Sequence, residues 1–314
     1  MTASLPDDVQ DVFARFVTTE YTTIDAQGRP ITWPVTPYYR RGAGAIDVTT
    51  GAGYPKKALD ARRNPRVALL FSDPTGSGLK DPPTVLVQGT AKVDDSDWDA
   101  NRRRYERESA EKLPATREMS PPDFMKRFFL WYYARLYVYV RPERVFVWRG
   151  DEEPEIHDSH VEEVRSGHVE EPEAGLAPPE GGAEAWDARL DELGERYPTA
   201  VLSFVAPDGF PFSGRVPISV DRSAHRVRIG ALPAQAPVHP GPACVTAHDH
   251  DPGFKWQRNF QVRGDLVEEN GGWALVPHRL VGGFELPPTS TLQRYRTNLG
   301  KIRRFRRTAK RVMG

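Results

Sequence analysis

Two adjacent lysines, Lys56 and Lys57, follow the glycine-rich segment VTTGAGYP and precede a short stretch of helical composition, ALDARR. Thr49, Thr50 and Tyr54 in the same segment carry hydroxyl groups. Glycines and hydroxyls ahead of a helix offer N–H and O–H donors and the positive end of the helix dipole to an anion. The lysines add positive charge, so the segment predicts a site for a terminal phosphate. The alternative is a turn with two exposed, solvated lysines.

Common nucleotide-binding loops do not match this segment. GAGYPKK lacks the spacing and the Ser/Thr of the P-loop. It also lacks the glycine spacing and the strand–helix–strand context of a dinucleotide fingerprint. Neither loop type is therefore predicted here.

The chain repeats itself. An amphipathic stretch, DDVQDVFARFV, is followed by the strand-like runs EYTTI, ITWPV, AIDVTT, RVALLF and VLVQGTAKV. Later, TAVLSFV, FPFSGRVPISV, RVRIG and FQVRGDLVEE follow in a similar order, with Gly264 in the place of Gly89. The apolar period is mostly two, which predicts a mainly β fold, a β-barrel with short helices, present in two copies.

Composition shifts divide the chain into four segments. An acidic and then Pro/Gly-rich stretch cannot bury enough apolar surface to order itself, so it is predicted to be a linker. The predicted segments are a first half (1–150), the linker (151–182), a second half (183–288) and a basic C-terminal helix (289–314).

The second half lacks the lysine segment. Where the first half has GYPKK and a helical stretch, the second has AQAPVHPGP, with no lysine and three prolines that exclude a helix. Lysines needed only for folding would be expected in both copies. The difference predicts an anion site in the first half alone.

Whole-chain properties exclude several classes of protein. The formal net charge is zero, so nucleic acid is not an expected partner. The single cysteine, Cys244, excludes an intramolecular disulfide and is expected to be a small buried side chain. No signal peptide and no apolar run long enough for a membrane span is visible, so a cytoplasmic location is expected.

The ordered segments DAQGRPITWPV, IDVTTGAGYPKKALDARRNPRVALLF, VLVQGTAKV and YVRPERVFVW resemble the pyridoxamine 5′-phosphate oxidase-like family of flavin-binding split β-barrels. The resemblance is strongest to the branch that uses the deazaflavin coenzyme F-420. It covers residues 7–150 well and 184–285 as a degenerate copy. It implies tandem FMN-binding split barrels that form an intramolecular pseudo-dimer, with the cofactor in the groove between them. The chain is then a monomeric pseudo-dimer or a homodimer.

The resemblance also implies site residues. Lys57 matches the family's phosphate-binding lysine, and Lys56 the basic residue before it. Thr49 and Thr50 match the strand end that touches the phosphate or the ribityl chain. The strand along the isoalloxazine corresponds to Trp33, Pro34, Val35 and Thr36, and Thr84 stands where the oxidases carry a glutamine.

Two residues of the second half are candidates to reach across the groove. Trp256 could stack on a ring and Arg258 could pair with an anion. The alternative is a strand edge with long side chains that extend to solvent. The family's residues for pyridoxamine phosphate have no match, so this substrate is not expected.

The predicted function is that of an FMN-dependent oxidoreductase, which transfers a hydride between flavin N5 and an unidentified small organic substrate. The alternative within the class is an F-420-dependent reductase. From another class comes a non-enzymatic flavin or haem binder, with His248 or His250 of the motif HDHD as a haem ligand. No catalytic side chain is predicted, and no metal site, although HDHD leaves a metal as an alternative.

The C-terminal segment 294–314 has nine basic residues and no acidic one, with apolar residues near helical spacing. It predicts an amphipathic helix. The helix could dock on the barrels and add charge to the cofactor groove, contact an anionic membrane surface, or bind nucleic acid non-specifically. A docked, solvated helix is the simplest alternative.

Overall fold

The strands of the first half pair into one antiparallel sheet in the order β2-β1-β4-β5-β6-β3, with β7 added to β6. The computed structural model describes residues 5–113, 126–150, 152–158, 188–282 and 291–314. Most of the predicted linker, 151–182, lies outside these residues. The strands are β1 (Thr19–Ile24), β2 (Pro30–Val35), β3 (Ile46–Gly51), β4 (Arg66–Phe71), β5 (Thr84–Asp94), β6 (Arg135–Trp148) and β7 (Glu155–Asp158).

Several helices pack against the strands of this sheet. The first begins behind Pro6 with two aspartates in its first turn, where the helix dipole favours negative charge, and buries Val9, Val12 and Phe13. The Asp97 side chain caps the third helix by accepting from the Ala100 N–H. The helices are α1 (Asp7–Arg15), α2 (Lys56–Arg63), α3 (Trp98–Lys112), a 3₁₀ turn (Arg127–Phe129) and α4 (Leu130–Tyr133).

The second half is a closed barrel in the order β10-β13-β12-β11-β8-β9. Matching β8–β13 to β1–β6 reproduces the strand order of the first half. The predicted fold class, mainly β with a barrel and short helices, is confirmed. The elements are α5 (Ala188–Arg196), β8 (Thr199–Val205), β9 (Pro211–Asp221), β10 (Arg226–Ile229), β11 (Gly241–His250), β12 (Gln257–Glu269), β13 (Gly272–Gly282) and α6 (Thr291–Val312).

None of the helices in the described ranges is long and apolar enough to cross a membrane.

Two glycines occupy equivalent bulges in the two halves. The register between β5 and β6 shifts at Gln88/Gly89, and that between β12 and β13 shifts at Arg263/Gly264. A Cβ on Gly89 would lie 2.2 Å from the Arg141 carbonyl oxygen, and one on Gly264 would lie 1.9 Å from the Val276 carbonyl oxygen. Only glycine permits this backbone approach, which explains why the sequence places a glycine at both positions.

We expect Gly89→Ala and Gly264→Ala each to lower the free energy of unfolding by more than about 2 kcal/mol, because backbone atoms cannot yield to the added methyl group. Gly44→Ala is the matched control, since nothing lies within 4 Å of the Cβ there. Urea unfolding of the three variants measures the effect. Equal stability of all three would contradict the bulge geometry.

The halves pack through matching strands. β4 lies against β9, and β11 lies against β2, while β1 and β2 also contact β8 and β9. Four fully buried hydroxyls meet at the centre of this interface. They form a cycle of Thr22–Thr32 (2.8 Å), Thr32–Ser203 (2.7 Å), Ser203–Ser213 (2.8 Å) and Ser213–Thr22 (2.8 Å). Each half contributes one residue from its first strand and one from its second, so the contact has pseudo-two-fold symmetry.

A buried ionic cluster also crosses the interface. Glu20 Oε1 on β1 lies 2.8 Å from Arg215 Nη2 on β9 and 2.7 Å from His248 Nε2 on β11. Burial disfavours the Glu20 carboxylate, but the His248 hydrogen bond and the Arg215 charge outweigh it and lower the pKa of Glu20. The folded protein therefore holds this carboxylate in its charged form.

This cluster predicts acid sensitivity. The contribution of Glu20 is present above its ordinary pKa of 4.5 and is lost as pH falls through the lower pKa of the folded state. Glu20→Gln should lower the unfolding free energy by about 3 kcal/mol at pH 7, because Arg215 loses its partner, and by less at pH 3. Thermal unfolding across pH tests this, with the exposed Glu152→Gln as control. Parallel pH curves for wild type and Glu20→Gln would refute it.

Candidate anion-binding site

The glycine-rich segment after β3 is held by α4 and α6. The Ala52 N–H donates to the Ala134 carbonyl and the Gly53 N–H to the Trp131 carbonyl, both at 2.8 Å. A Cβ on Gly53 would meet Trp131 and Phe305 at 2.9 Å. Glycine at this position therefore leaves room for α4 and α6 to pack against the segment. The sequence predicts backbone N–H donors for an anion in this segment. These two N–H groups instead donate to carbonyls of the protein itself.

Cationic side chains gather beside this segment instead. Arg135 begins β6, directly opposite Gly51 of β3, and is 6% exposed. Its Nη1 donates to Tyr54 Oη (3.1 Å) and to the Tyr132 carbonyl (3.0 Å). Lys57, which is half-buried, has its Nζ 5.6 Å from the centroid of the Tyr54 ring. Both cations therefore contact Tyr54.

No carboxylate of the described residues forms an ion pair with Lys57 or Arg135. A guanidinium stays protonated, so Arg135 is a buried charge without an anion. Burial and the neighbouring charge of Arg135 lower the pKa of Lys57 to about 8. Buried charges in proteins are normally paired. Lys57 and Arg135 are therefore the candidate residues for binding an anion.

Tyrosines form the wall around Arg135. The guanidinium carbon lies 3.9 Å from the centroid of the Tyr105 ring and 5.2 Å from that of Tyr132. The hydroxyls of Tyr105 and Tyr132 are 2.7 Å apart. Burial raises the pKa of both phenols, so they remain neutral hydrogen-bonding groups. The wall orients Arg135 through cation–π contacts without neutralising it.

The two threonines of β3 position their neighbours. Thr49 Oγ1 donates to the Leu136 carbonyl (2.8 Å) and accepts from Arg135 Nε (3.3 Å). Thr50 Oγ1 donates to the Tyr54 carbonyl (3.0 Å). In the structure, Thr49 fixes Arg135 and Thr50 fixes the loop. Their predicted contact with a cofactor stays a prediction.

The adjacent lysines have different surroundings. Lys56 Nζ lies 2.8 Å from Asp60 Oδ2, one helical turn further along α2. Asp60 is 2% exposed, so its charge is satisfied locally by Lys56 and Arg63. Lys57 has no such partner among the described residues. Of the two, Lys57 is thus the available cation.

Among the described residues, no hydrogen bond, ion pair or ring contact joins the remaining predicted residues to Lys57 or Arg135. Thr84 pairs with Trp148, at the opposite end of β6 from Arg135. Arg258 pairs with Glu192 on α5 of its own half, with Nη1–Oε1 at 2.5 Å. The backbone N–H of Trp256 donates to Asp251 Oδ1 at 2.8 Å. The strand residues Trp33, Pro34, Val35 and Thr36 are all partly exposed.

Sequence reasoning missed Arg135 and Lys112. Lys112, at the end of α3, donates to the Pro37 carbonyl at 2.5 Å, next to the predicted isoalloxazine strand. Burial lowers its pKa to about 7. Arg135 stands in YARLYVYV, where an arginine interrupts aromatic and apolar residues. A charged residue in an otherwise apolar strand is the one feature of the sequence that marks Arg135. It places Arg135 at the site only once β3 is known to pair with β6.

No family profile matches the sequence, and no curated protein matches it. Several solved structures are similar. A protein of the pyridoxinephosphate oxidase family from Clostridium acetobutylicum, related to general stress protein 26, is 12% identical, with 48% of this chain and 92% of that chain covered and a TM-score of 0.32.

Two further solved structures are similar to this chain. An F420 reductase is 17% identical over 45% of this chain and 98% of that chain, with a TM-score of 0.33. A conserved hypothetical protein from Mycobacterium tuberculosis is 22% identical over 46% of this chain and 85% of that chain, with a TM-score of 0.32. Proteins of the family that the sequence resembles are thus among the similar structures.

If an anion binds beside Lys57, the lowered pKa of this lysine predicts a pH-dependent affinity. Sulfate keeps its charge between pH 6 and 10, so it is a suitable probe. We expect its affinity to be constant below pH 7 and to fall as pH rises through about 8, because Lys57 loses its proton. NMR titration measures the affinity. Lys57→Met should weaken binding and remove the pH dependence, whereas Lys56→Met should retain it. A pH-independent wild-type affinity would contradict the site.

Proposed function

We propose that the chain is a flavin-dependent oxidoreductase that binds FMN, with the phosphate of the cofactor at Lys57 and Arg135. One observation carries the proposal. Arg135 is buried and forms no ion pair with a carboxylate of the described residues. Its guanidinium donates to the Tyr54 hydroxyl, and Lys57 lies over the ring of the same tyrosine. A phosphate dianion supplies the negative charge that these cations lack.

The residues fit a terminal phosphate in number and type. Two cations balance a dianion, and Arg135 Nη2 forms no hydrogen bond with the described residues, so it can donate. The Tyr54 hydroxyl adds a neutral donor or acceptor. Above about pH 8, Lys57 is expected to take up a proton when the phosphate binds, since a nearby anion favours the charged form of the lysine.

The segment Trp33–Thr36, which comprises the end of β2 and the residue after it, is the proposed support for the ring system. β2 lies between the rest of its own sheet and strands β8, β11 and β12 of the second half. Gln261 Nε2 donates to the Thr32 carbonyl (2.6 Å), and Thr246 Oγ1 donates to the same oxygen (3.2 Å). The second half thus holds the backbone of Thr32, the residue directly before Trp33. The flavin supplies the hydride chemistry when bound, and the protein supplies position and charge.

The alternative within the class is the deazaflavin coenzyme F-420, which would use the same cations. Replacing FMN by F-420 in the titration below decides between the two cofactors. Candidate organic substrates, the small-molecule partners of the proposed reaction, are then tested by whether they oxidise or reduce the bound cofactor. A protein that holds the flavin without turnover would be the non-enzymatic binder.

The haem alternative has a specific obstacle. His248 is engaged with Glu20 across the interface, and His250 Nε2 lies 3.3 Å from Thr18 Oγ1 while its Nδ1 lies 2.9 Å from the Asp251 carbonyl. Both side chains are buried. Haem ligation would require these contacts to break. The proposed cofactor therefore remains a flavin.

Comparison of FMN with riboflavin, which lacks the phosphate, isolates the proposed contact. Lys57→Ala should weaken FMN binding by about 10- to 100-fold, the value of a charge-assisted hydrogen bond, and leave riboflavin affinity nearly unchanged. Arg135→Lys should act in the same direction without leaving a cavity. Flavin fluorescence titration measures both ligands.

Lys56→Ala is the matched control, because its charge is balanced by Asp60. It should change the FMN-to-riboflavin affinity ratio by less than about threefold. The proposal is wrong if Lys57→Ala weakens FMN and riboflavin equally, or if neither flavin binds the wild-type protein.

A further inference from the structure

The C-terminal helix α6 docks on the first half rather than on the second half that precedes it. Ile302 (7% exposed) and Ala309 (4% exposed) join the core of the first half. Phe305 stacks on Trp131, with ring centroids 5.3 Å apart and an interplanar angle of 27°. The apolar face of the helix is therefore already covered by the protein itself.

The opposite face of α6 is basic and exposed. At about 100° per residue, the six basic side chains of α6 that the structure describes fall within an arc of about 160°, and the buried residues fall outside it. The exposed basic residues are Arg303, Arg304, Arg306, Arg307, Lys310 and Arg311.

No acidic residue in the described part of the chain is paired with this arc. The last acidic residue of the chain is Glu285, ahead of the helix. None of the six side chains forms an ion pair with a carboxylate in the described part of the chain. The rest of the protein carries a compensating acidic excess, since the total net charge is zero. The positive charge is thus concentrated on one surface.

Exposed apolar side chains border the arc. Phe128 is 51% exposed and Leu130 is 43% exposed, among the few large apolar residues that reach solvent. Arg306 Nη2 donates to the Phe128 carbonyl at 3.1 Å, which places Phe128 beside the basic face. Leu130 opens α4, which packs against α6.

We infer that this surface, the basic arc of α6 with Phe128 and Leu130 at its edge, binds the surface of an anionic lipid bilayer. Clustered Arg and Lys side chains are attracted to anionic headgroups, and partly inserted aromatic and aliphatic side chains add apolar contact. A nucleic acid would satisfy the cations but would leave Phe128 and Leu130 without a role, so the bilayer is the better match. The inference does not depend on the cofactor.

Vesicle co-sedimentation with the full chain tests it. Wild-type protein should bind phosphatidylcholine vesicles that contain phosphatidylglycerol and should not bind pure phosphatidylcholine. The triple variant Arg303→Gln/Arg307→Gln/Arg311→Gln removes three of the six positive charges of the arc. It should weaken binding by about 100-fold, at the usual contribution of each basic residue near a membrane.

A charge-matched control separates the surface from total charge. Lys80→Gln/Lys92→Gln/Lys255→Gln removes three exposed lysines elsewhere and should bind like wild type. Phe128→Ser/Leu130→Ser should weaken binding to anionic vesicles while circular dichroism and thermal unfolding show a folded protein. Equal binding by the two triple variants would overturn the inference. So would tighter binding to duplex DNA than to anionic vesicles at the same salt concentration, which would identify a nucleic-acid surface instead.

Discussion

Four buried hydroxyl groups close a hydrogen-bonded cycle between the two halves of the chain, and each half supplies two of them. A hydroxyl can donate once and accept at least once, so a closed cycle satisfies all four only when both halves are in register. Removing one member leaves its neighbours buried and underpaired. The cycle fixes β1 and β2 against β8 and β9. Because β2 is also the proposed support of the cofactor ring, the second half matters for the site even though it lacks the lysine segment.

The two halves share a strand order but differ in charge chemistry. The first half retains α2, Lys57 and a buried Arg135, while the prolines of the second half replace the corresponding helix. Without an anion, burial and mutual repulsion of the two cations oppose the charged form of Lys57, and its lowered pKa reports this. Binding of an anion relieves that cost. Within the described residues, the proposed anion site therefore occurs once per chain.

Much of the fold could be predicted from sequence because it depends on local pattern. Period-two alternation gave the mainly β class, and Gly89 and Gly264 identified matching positions that the structure shows to be bulges. The amphipathic pattern of α6 predicted a helix, but its docking on the first half depends on contacts of Phe305 with Trp131, far away in the chain.

The site was less predictable, since it depends on pairing between distant segments. Lys57 was found through its local context, but Arg135 becomes part of the site only because β3 pairs with β6. Likewise, the Glu192 partner of Arg258 lies on a separate helix, and no local pattern reveals it. The sequence identifies Thr49 and Thr50 as hydroxyl donors for a ligand. In the structure both hydroxyls donate to backbone carbonyls that only folding brings near.

A crystal structure of the protein grown with FMN tests the central claim most directly, because it locates the phosphate. The account predicts a phosphate within hydrogen-bonding distance of both Lys57 Nζ and the Arg135 guanidinium, beside the Tyr54 hydroxyl. A phosphate bound elsewhere, with Lys57 and Arg135 contacting only protein, would contradict it.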